Sequence, residues 1–432
     1  MFDSLAPMLR VAAFCNSRRE CRLGADGVAE GVRVRRITGG RGLRVLLGVG
    51  LAVVATATVA SAGATSLASS TLRTSNLETA SSVLEGIPHF AHVVVLTEEN
   101  KDASATFGPT SPATYLNSLV SQGVFLPNYY GTGHVSLDNY LAMVSGQPGN
   151  VLSNSDCMTV SLWTCAQAAS AFDGGANIGD QLDAAGISWN SWMDGTSTPC
   201  FHGPYTPPDL SNPSAAGVES IVEPDPYQGD STAAPAYNYA DRHNPFIYFT
   251  NFIGNQARCE AHQLPFSYLS NALSGGSSTW TDTTLPGFSF ITPDTCHDGH
   301  DNPCAGGSPG GLVSLDAWLS ANLPPLLQYL DTHDGLLVIN FDESDPGVSA
   351  GGVNESALVG GYTPSACTSC VSVGAGGRTG ALLLGTGLAA GTTDTTGYDH
   401  YSLLRTIEDS FGISNYLGLA ALAKPMTAAF SS

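Results

Sequence analysis

The chain has 432 residues, 43% of them hydrophobic, enough to bury the core of one large α/β domain or two ordinary ones. Nine of its 16 Lys and Arg residues lie in the first 44 positions, and beyond Ala64 seven basic residues face 33 acidic ones, a formal charge of −26. A surface of that sign repels nucleic acid and anionic membranes, and an anionic ligand would need something other than a basic patch to neutralise it, most simply a metal ion.

The N-terminus explains the asymmetry. A basic run at 33–44 precedes an apolar stretch, 46–60, and two small-x-small sites, Ala60-Ser61-Ala62 and Ala62-Gly63-Ala64. This pattern predicts an export signal, because about 15 apolar residues fall short of the roughly 20 a spanning helix needs. An uncleaved anchor is the alternative. Residues 1–64 are therefore expected to be an extension plus signal, with 1–32 patternless as in an over-extended start. Residues 65–88 read as a loose Ser/Thr/Ala-rich segment and 89–432 as one domain, located outside the cell with no membrane span after cleavage. Eight cysteines remain beyond the signal, an even number that suits disulfides in an oxidising compartment. Sequence neighbours offer 157–165, 200–259, 296–304 and 367–370. The rival, a zinc-thiolate site at Cys367-x-x-Cys370, lacks a second CxxC.

In chain order, 92–97 is a near-continuous β-branched run, as for a strand buried on both faces of a parallel sheet. A helix with Tyr115, Leu116, Leu119 and Val120 on its apolar stripe follows. Residues 123–147 read as strand, Gly-rich turn and helix, and 177–195 as helix then strand. Further strands are expected at 244–252 and 286–294, a helix from Pro324 leading into a strand that ends in acids, a strand at 377–385, and a closing helix from His400. The stretch 344–377 reads as an excursion loop. Such alternation predicts an α/β fold, a three-layer αβα sandwich around a mostly parallel sheet.

Four constellations carry chemistry. In open parallel sheets ligands bind beyond the carboxyl ends of strands, where Glu98-Glu99-Asn100 and Asp342-Glu343 both fall. Two oxygen-rich strand ends can close around a hard cation, whereas one acidic pair alone would be a solvated turn. Ser136 follows a glycine-rich turn at the start of a helix, whose N-terminal field suits an oxyanion or phosphate. Asn139, three residues on, is placed to donate to a phosphoryl oxygen. A plain N-cap is the ordinary alternative for such a serine. The loop 294–304 holds His297, Asp298, His300 and Asp301 between two cysteines able to pin it. His400 stands before the last helix, where a lone histidine is often only a cap.

Together these residues resemble the phosphoesterase family that contains bacterial secreted acid phosphatases and nonspecific phospholipases C, within the alkaline phosphatase superfamily. The family's acid-asparagine dyad is matched by Glu99-Asn100 and its nucleophile turn by the sequence HVSLDNYLAMVSG. Its Asp-x-His-Asp loop is matched by Asp298-Gly299-His300-Asp301, its Asp-Glu pair by Asp342-Glu343, and its last histidine by His400. Two prolines common in the nucleophile turn are replaced by Val135 and Asp138. The resemblance implies an alkaline phosphatase-like fold, with Glu99, Asn100, Asp342 and Glu343 as ligands of a divalent metal and Ser136 as both ligand and nucleophile. His300 and His400 would contact phosphate oxygens or protonate the leaving group, with His134 and His243 in the second rank. The oxygen-rich set admits calcium, magnesium, manganese, iron or zinc without choosing among them. The expected activity is an exported phosphomonoesterase acting through a phosphoserine on soluble or lipid-headgroup monoesters, phosphatidylinositol 3-phosphate included. A phospholipase C or other phosphodiesterase is the nearest alternative, and a non-catalytic cell-surface binding protein the more distant one.

Overall fold

The computed structural model describes residues 12–16, 20–24, 84–150, 152–157, 165, 176–201, 238–275, 285–304, 307–345 and 376–430. Residues 1–75 and 76–432 are separate compact units. In the first, where the sequence carries no pattern, Ala12–Asn16 and Glu20–Gly24 pair antiparallel with Cys15 opposite Cys21. The expected signal at 46–60, its cleavage sites, most of 65–88, Cys367, Cys370 and most of the 344–377 excursion lie outside the described residues. No helix among the described residues is long and apolar enough to cross a membrane.

In the second unit eight strands share one sheet: β1 His92–Glu98, β2 Val124–Leu126, β3 Trp189–Met193, β4 Gln263–Pro265, β5 Phe288–Thr292, β6 Gly335–Phe341, β7 Ala381–Gly385 and β8 Thr392–Thr393. Their order is β8-β2-β7-β6-β1-β5-β3-β4, and every pairing is parallel except the two made by β7. β1 lies between β5 and β6, and a core covers each of its faces. Val93 and Val95 join one core, Val94 and Leu96 the other. That is why its sequence is apolar at consecutive positions.

Helices α2 (Ser136–Ser145), α3 (Ile178–Ala185) and α6 (His400–Ser410) supply Leu137, Leu141, Ile178, Leu182, Leu403 and Ile407 to the first core. On the other face α1 (Thr114–Leu119), α4 (Phe266–Leu273) and α5 (Gly311–Thr332) supply Leu116, Leu119, Phe266, Leu269, Leu315 and Leu319. The result is the three-layer α/β sandwich predicted by the alternation of strand and helix signals.

Two elements differ from expectation. Residues 244–252 are not a strand but a 3₁₀ turn, Pro245–Tyr248, and a short helix, Thr250–Ile253. Pro245 lacks a backbone N–H and its fixed φ suits the first position of a helical turn, while Phe246 and Phe252 pack on Trp189. A short apolar run fits a buried helical segment as well as a strand. The helix expected from Pro324 begins instead at Gly311 and runs through Pro324 and Pro325. Leu315, Leu319, Leu323, Leu326 and Leu330 form one buried stripe along it, and their packing outweighs the cost of the prolines.

Register sets the stage for chemistry. Glu98 lies opposite Phe341 and Leu96 opposite Ile291, so Glu99, Asp342 and the loop after Thr292 open from one edge of the sheet. At that edge a two-residue parallel pairing joins Tyr129–Tyr130 to Tyr398–Asp399.

Candidate active site

The floor is built where β1 and β6 end. Asn100, with φ of +49°, turns the chain so that its N–H donates to Asp342 Oδ1 at 3.0 Å, and the Glu343 N–H donates to the same oxygen at 2.6 Å. One terminal atom of the Asn100 amide sits 3.2 Å from Glu99 Oε2 and 3.1 Å from Asp342 Oδ1. As nitrogen it donates to both. As oxygen it brings three oxygens together with no proton between them, the arrangement a cation resolves. Burial, then Asp342 and Asp298, push the Glu99 carboxyl well up, and burial pushes Asp342 up to about 7. Asp342 Oδ2 is buried without a hydrogen-bond partner, and Glu99 Oε1 accepts no hydrogen bond, with the His243 ring 3.3 Å away. Unpaired buried acid oxygens are costly, and a hard divalent ion would satisfy them.

Ser136 is the first residue of α2, not its cap; Val135 holds that position and makes no capping bond. The serine is 4% exposed, and its Oγ donates to Glu99 Oε2 at 3.1 Å. The preceding turn presses against the floor: a Cβ on Gly131 would lie 2.5 Å from the Asp342 carbonyl, so only glycine fits there. Asn139 is held within the turn. Its Oδ1 accepts from the N–H groups of Thr132 and Gly133 at 2.7 and 3.0 Å, and its Nδ2 donates to the carbonyls of Gly133 and Val135. Both ends are consumed in shaping the turn, so it has nothing left for a phosphoryl oxygen. Asp138, at the position of the missing proline, is buried between Gly133 and Gly149, and burial pushes its carboxyl up to about 7.

The histidines sort differently from the sequence reading. His243 Nε2 lies 3.3 Å from Glu99 Oε1 and its Nδ1 3.3 Å from Asp298 Oδ2, with the ring stacked on Tyr140. Ligand atoms of Glu99, His243 and Asp298 lie within 4.8 Å of one another, all buried, so two second-rank residues stand at the centre. Burial drives the Asp298 carboxyl well up and the His243 imidazole well down. Asp298 Oδ1 also accepts the His300 N–H at 2.7 Å. His300, 30% exposed, meets Asp301 Oδ1 through Nδ1 at 2.8 Å, and Asp301 Oδ2 accepts from Thr295 at 2.9 Å. His134 Nδ1 is 2.6 Å from Glu343 Oε2, in a carboxyl that burial and then Asp342 push up to about 10.

His400 is engaged at both nitrogens. It is fully buried, its Nδ1 paired with the Tyr129 hydroxyl at 2.9 Å and its Nε2 with the Asp342 carbonyl at 2.6 Å. Burial lowers it to about 4, so it is a neutral strut beneath Asp342 with no nitrogen free for phosphate. His297 is not part of the Glu99 group either. It pairs with Asp294 at 2.8 Å and Asp194 at 3.4 Å, and against the pull of burial those hydrogen bonds raise it to about 10. The loop bearing His300 is closed by Cys296–Cys304, and Cys157–Cys165 and Cys200–Cys259 are also joined.

Sequence reasoning missed Arg242 and Asp156. Arg242 Nη2 is 3.4 Å from His300 Nε2, and Asp156 Oδ1 accepts from the Leu137 N–H at 2.9 Å. The available signal was scarcity: a basic residue beside His243 is unusual in so acidic a domain.

Residues 109–414 match the model described as "Phosphoesterase family". The chain therefore belongs to that family, of hydrolases acting on phosphoric esters. Among curated relatives it is 27% identical to a Phosphatidylinositol-3-phosphatase of Mycobacterium tuberculosis over 79% of this chain and 83% of that protein. It is 27% identical to a Probable acid phosphatase of Kluyveromyces lactis over 75% of this chain but 59% of that protein, so it spans well under two thirds of this longer relative. Among solved structures, a protein in the alkaline phosphatase superfamily from Vibrio parahaemolyticus overlays with a TM-score of 0.41 at 14% identity, covering 76% of this chain and 67% of that one.

Proposed function

We propose that the chain is an exported, metal-dependent phosphomonoesterase of the acid phosphatase type, with residues 89–432 as its catalytic domain and Ser136 as its nucleophile. One observation carries the reading: the Ser136 hydroxyl, at the head of a ten-residue helix, donates to a buried carboxyl among acid oxygens that lack partners. Glu99, Asn100 and Asp342, with Ser136 and Glu343 beside them, would hold the ion. Bound there, a divalent cation would supply positive charge that lowers a hydroxyl pKa and offsets phosphoryl charge. Ser136 Oγ attacks phosphorus, its proton moving towards Glu99 Oε2; the bond from phosphorus to the ester oxygen breaks, and the departing alkoxide takes up one proton to leave as the alcohol. Water then cleaves the phosphoserine, returning the hydroxyl and releasing phosphate. His243 and His300, with rings 6.2 Å apart, line one side of the site.

Soluble monoesters are the primary substrates in this reading. The name of the mycobacterial relative favours phosphoinositide monoesters as a second group. The joined cysteine pairs support export to an oxidising compartment. The test is a panel of phosphomonoesters and diesters assayed across pH after chelation and after add-back of single metals. Activity that survives complete metal removal, or turnover confined to diesters, would overturn the proposal.

A further inference from the structure

One basic side chain has no part yet in the phosphomonoesterase reading, and the role assigned to it rests on that reading. Among the described Lys and Arg side chains only Arg242 and Arg405 are buried. Arg405 is absorbed by the fold: it pairs with Glu85 at 2.6 Å, donates to the carbonyls of Ala420 and Ala421, and stacks on Tyr416. Arg242 lies in the site instead, 4% exposed, in the 3₁₀ turn Asp241–His243. Its positive charge acts on the carboxyls of Glu99, Asp156, Asp298 and Glu343.

A guanidinium has only donors. In its 3.4 Å contact with Arg242, His300 Nε2 must therefore accept, which puts the His300 proton on Nδ1, facing Asp301. Neutral His300 then offers an incoming oxygen no donor of its own; the donor at that place is Arg242.

Charge gives this position its meaning. A phosphate monoester carries about two negative charges near neutrality, whereas a diester carries only one. Both must approach a serine bonded to Glu99, a carboxyl on which the charges of Asp342 and Asp298 act. A cation among Glu99, Asn100 and Asp342 can answer one charge. The second requires another cationic group, and the other basic residues nearby are ill placed for it: Lys101 Nζ donates to the Asn100 carbonyl at 3.0 Å, and Arg378 is exposed.

We propose that Arg242 is a catalytic residue that donates to a non-bridging phosphoryl oxygen, with His300 steadying its guanidinium, and that this contact makes the site select monoesters over diesters. The planar fork suits a phosphoryl edge better than an ammonium would.

The metal-loaded full chain is assayed with p-nitrophenyl phosphate and bis(p-nitrophenyl) phosphate, which share a leaving group. Wild type should favour the monoester. Arg242→Met should lower monoester kcat/KM by about 10²-fold or more and diester kcat/KM by less than about fivefold, with metal content unchanged. Arg242→Lys should fall between, because charge survives without the fork. Equal losses on both esters would mean that Arg242 only balances the buried acids, and the assignment would fail while the phosphomonoesterase reading stood. Should neither variant fold, wild type alone decides: comparable turnover of the two esters removes the assignment. A wild type inert toward both sinks the parent reading and this one together.

Discussion

At Ser136 a hydroxyl is buried and aimed at a carboxyl, a poor place for a serine unless the contact is used. Ser136→Ala should lose at least about 10³ in kcat while its circular dichroism stays that of wild type. Near wild-type turnover would refute its role as nucleophile. Asn139 should behave in the opposite way. With its five hydrogen bonds to the turn removed, Asn139→Ala should lose about 2–4 kcal/mol of stability in urea titration, and its activity should fall only as the turn loosens. A fully stable but inactive variant would return Asn139 to the phosphate. Asn100 and Asp342 belong to one unit, joined by the Asn100 backbone N–H and by its side-chain amide, 3.1 Å from Asp342 Oδ1. Asn100→Ala and Asp342→Ala should each strip metal and activity, and the double variant should be little worse than either. Additive losses, or full metal occupancy in Asp342→Ala, would separate them. These residues were legible as positions because acids at strand ends and a serine after glycines are local patterns. What Asn139 and His400 do was not legible. Whether an amide or a ring nitrogen is already engaged depends on Thr132, Tyr129 and the Asp342 carbonyl, and sequence spacing says nothing of that.

At the level of elements, β-branched runs were readable and aromatic ones broken by proline were not. The run at 92–97, with three successive valines, read as a doubly buried strand, whereas 244–252 has the composition of either strand or helix and its packing on Trp189 decided the matter. Helix α6 makes a prediction about acid. Burial raises Glu408 to about 8 from 4.5, although Gln181 and the Leu417 N–H both donate to it. Between those two values the folded chain keeps a proton that the unfolded chain has lost. Its contribution to stability is therefore complete below pH 4.5 and declines as pH rises towards about 8, by up to about 1.4 kcal/mol per pH unit. Glu408→Gln should flatten that part of the stability profile in denaturant titrations from pH 5 to 8. Parallel profiles for variant and wild type would show that the carboxyl is ionised when folded.

For the whole molecule, charge and composition foretold more than any motif. The −26 beyond Ala64 argued against nucleic acid and for a cation beside any anionic ligand, and the alternation of elements gave the three layers. Arg242 and Asp156 escaped because neither belongs to a local pattern; their contacts with His300 and with the Leu137 N–H exist only in the folded chain.

The pairing of Tyr129–Tyr130 with Tyr398–Asp399 has a consequence for how the chain comes into being. A ribosome delivers β1 early, but its neighbours β5 and β6 begin only at Phe288 and Gly335, and the strut beneath Asp342, His400, is delivered after both. Until then Tyr129 has no imidazole to meet and the Asp342 carbonyl has nothing to rest on. Hydrolytic competence is thus acquired at the close of translation, not gradually along it. Under the proposed export, a nascent chain passing through a cytoplasm rich in phosphorylated metabolites would be unable to cleave them.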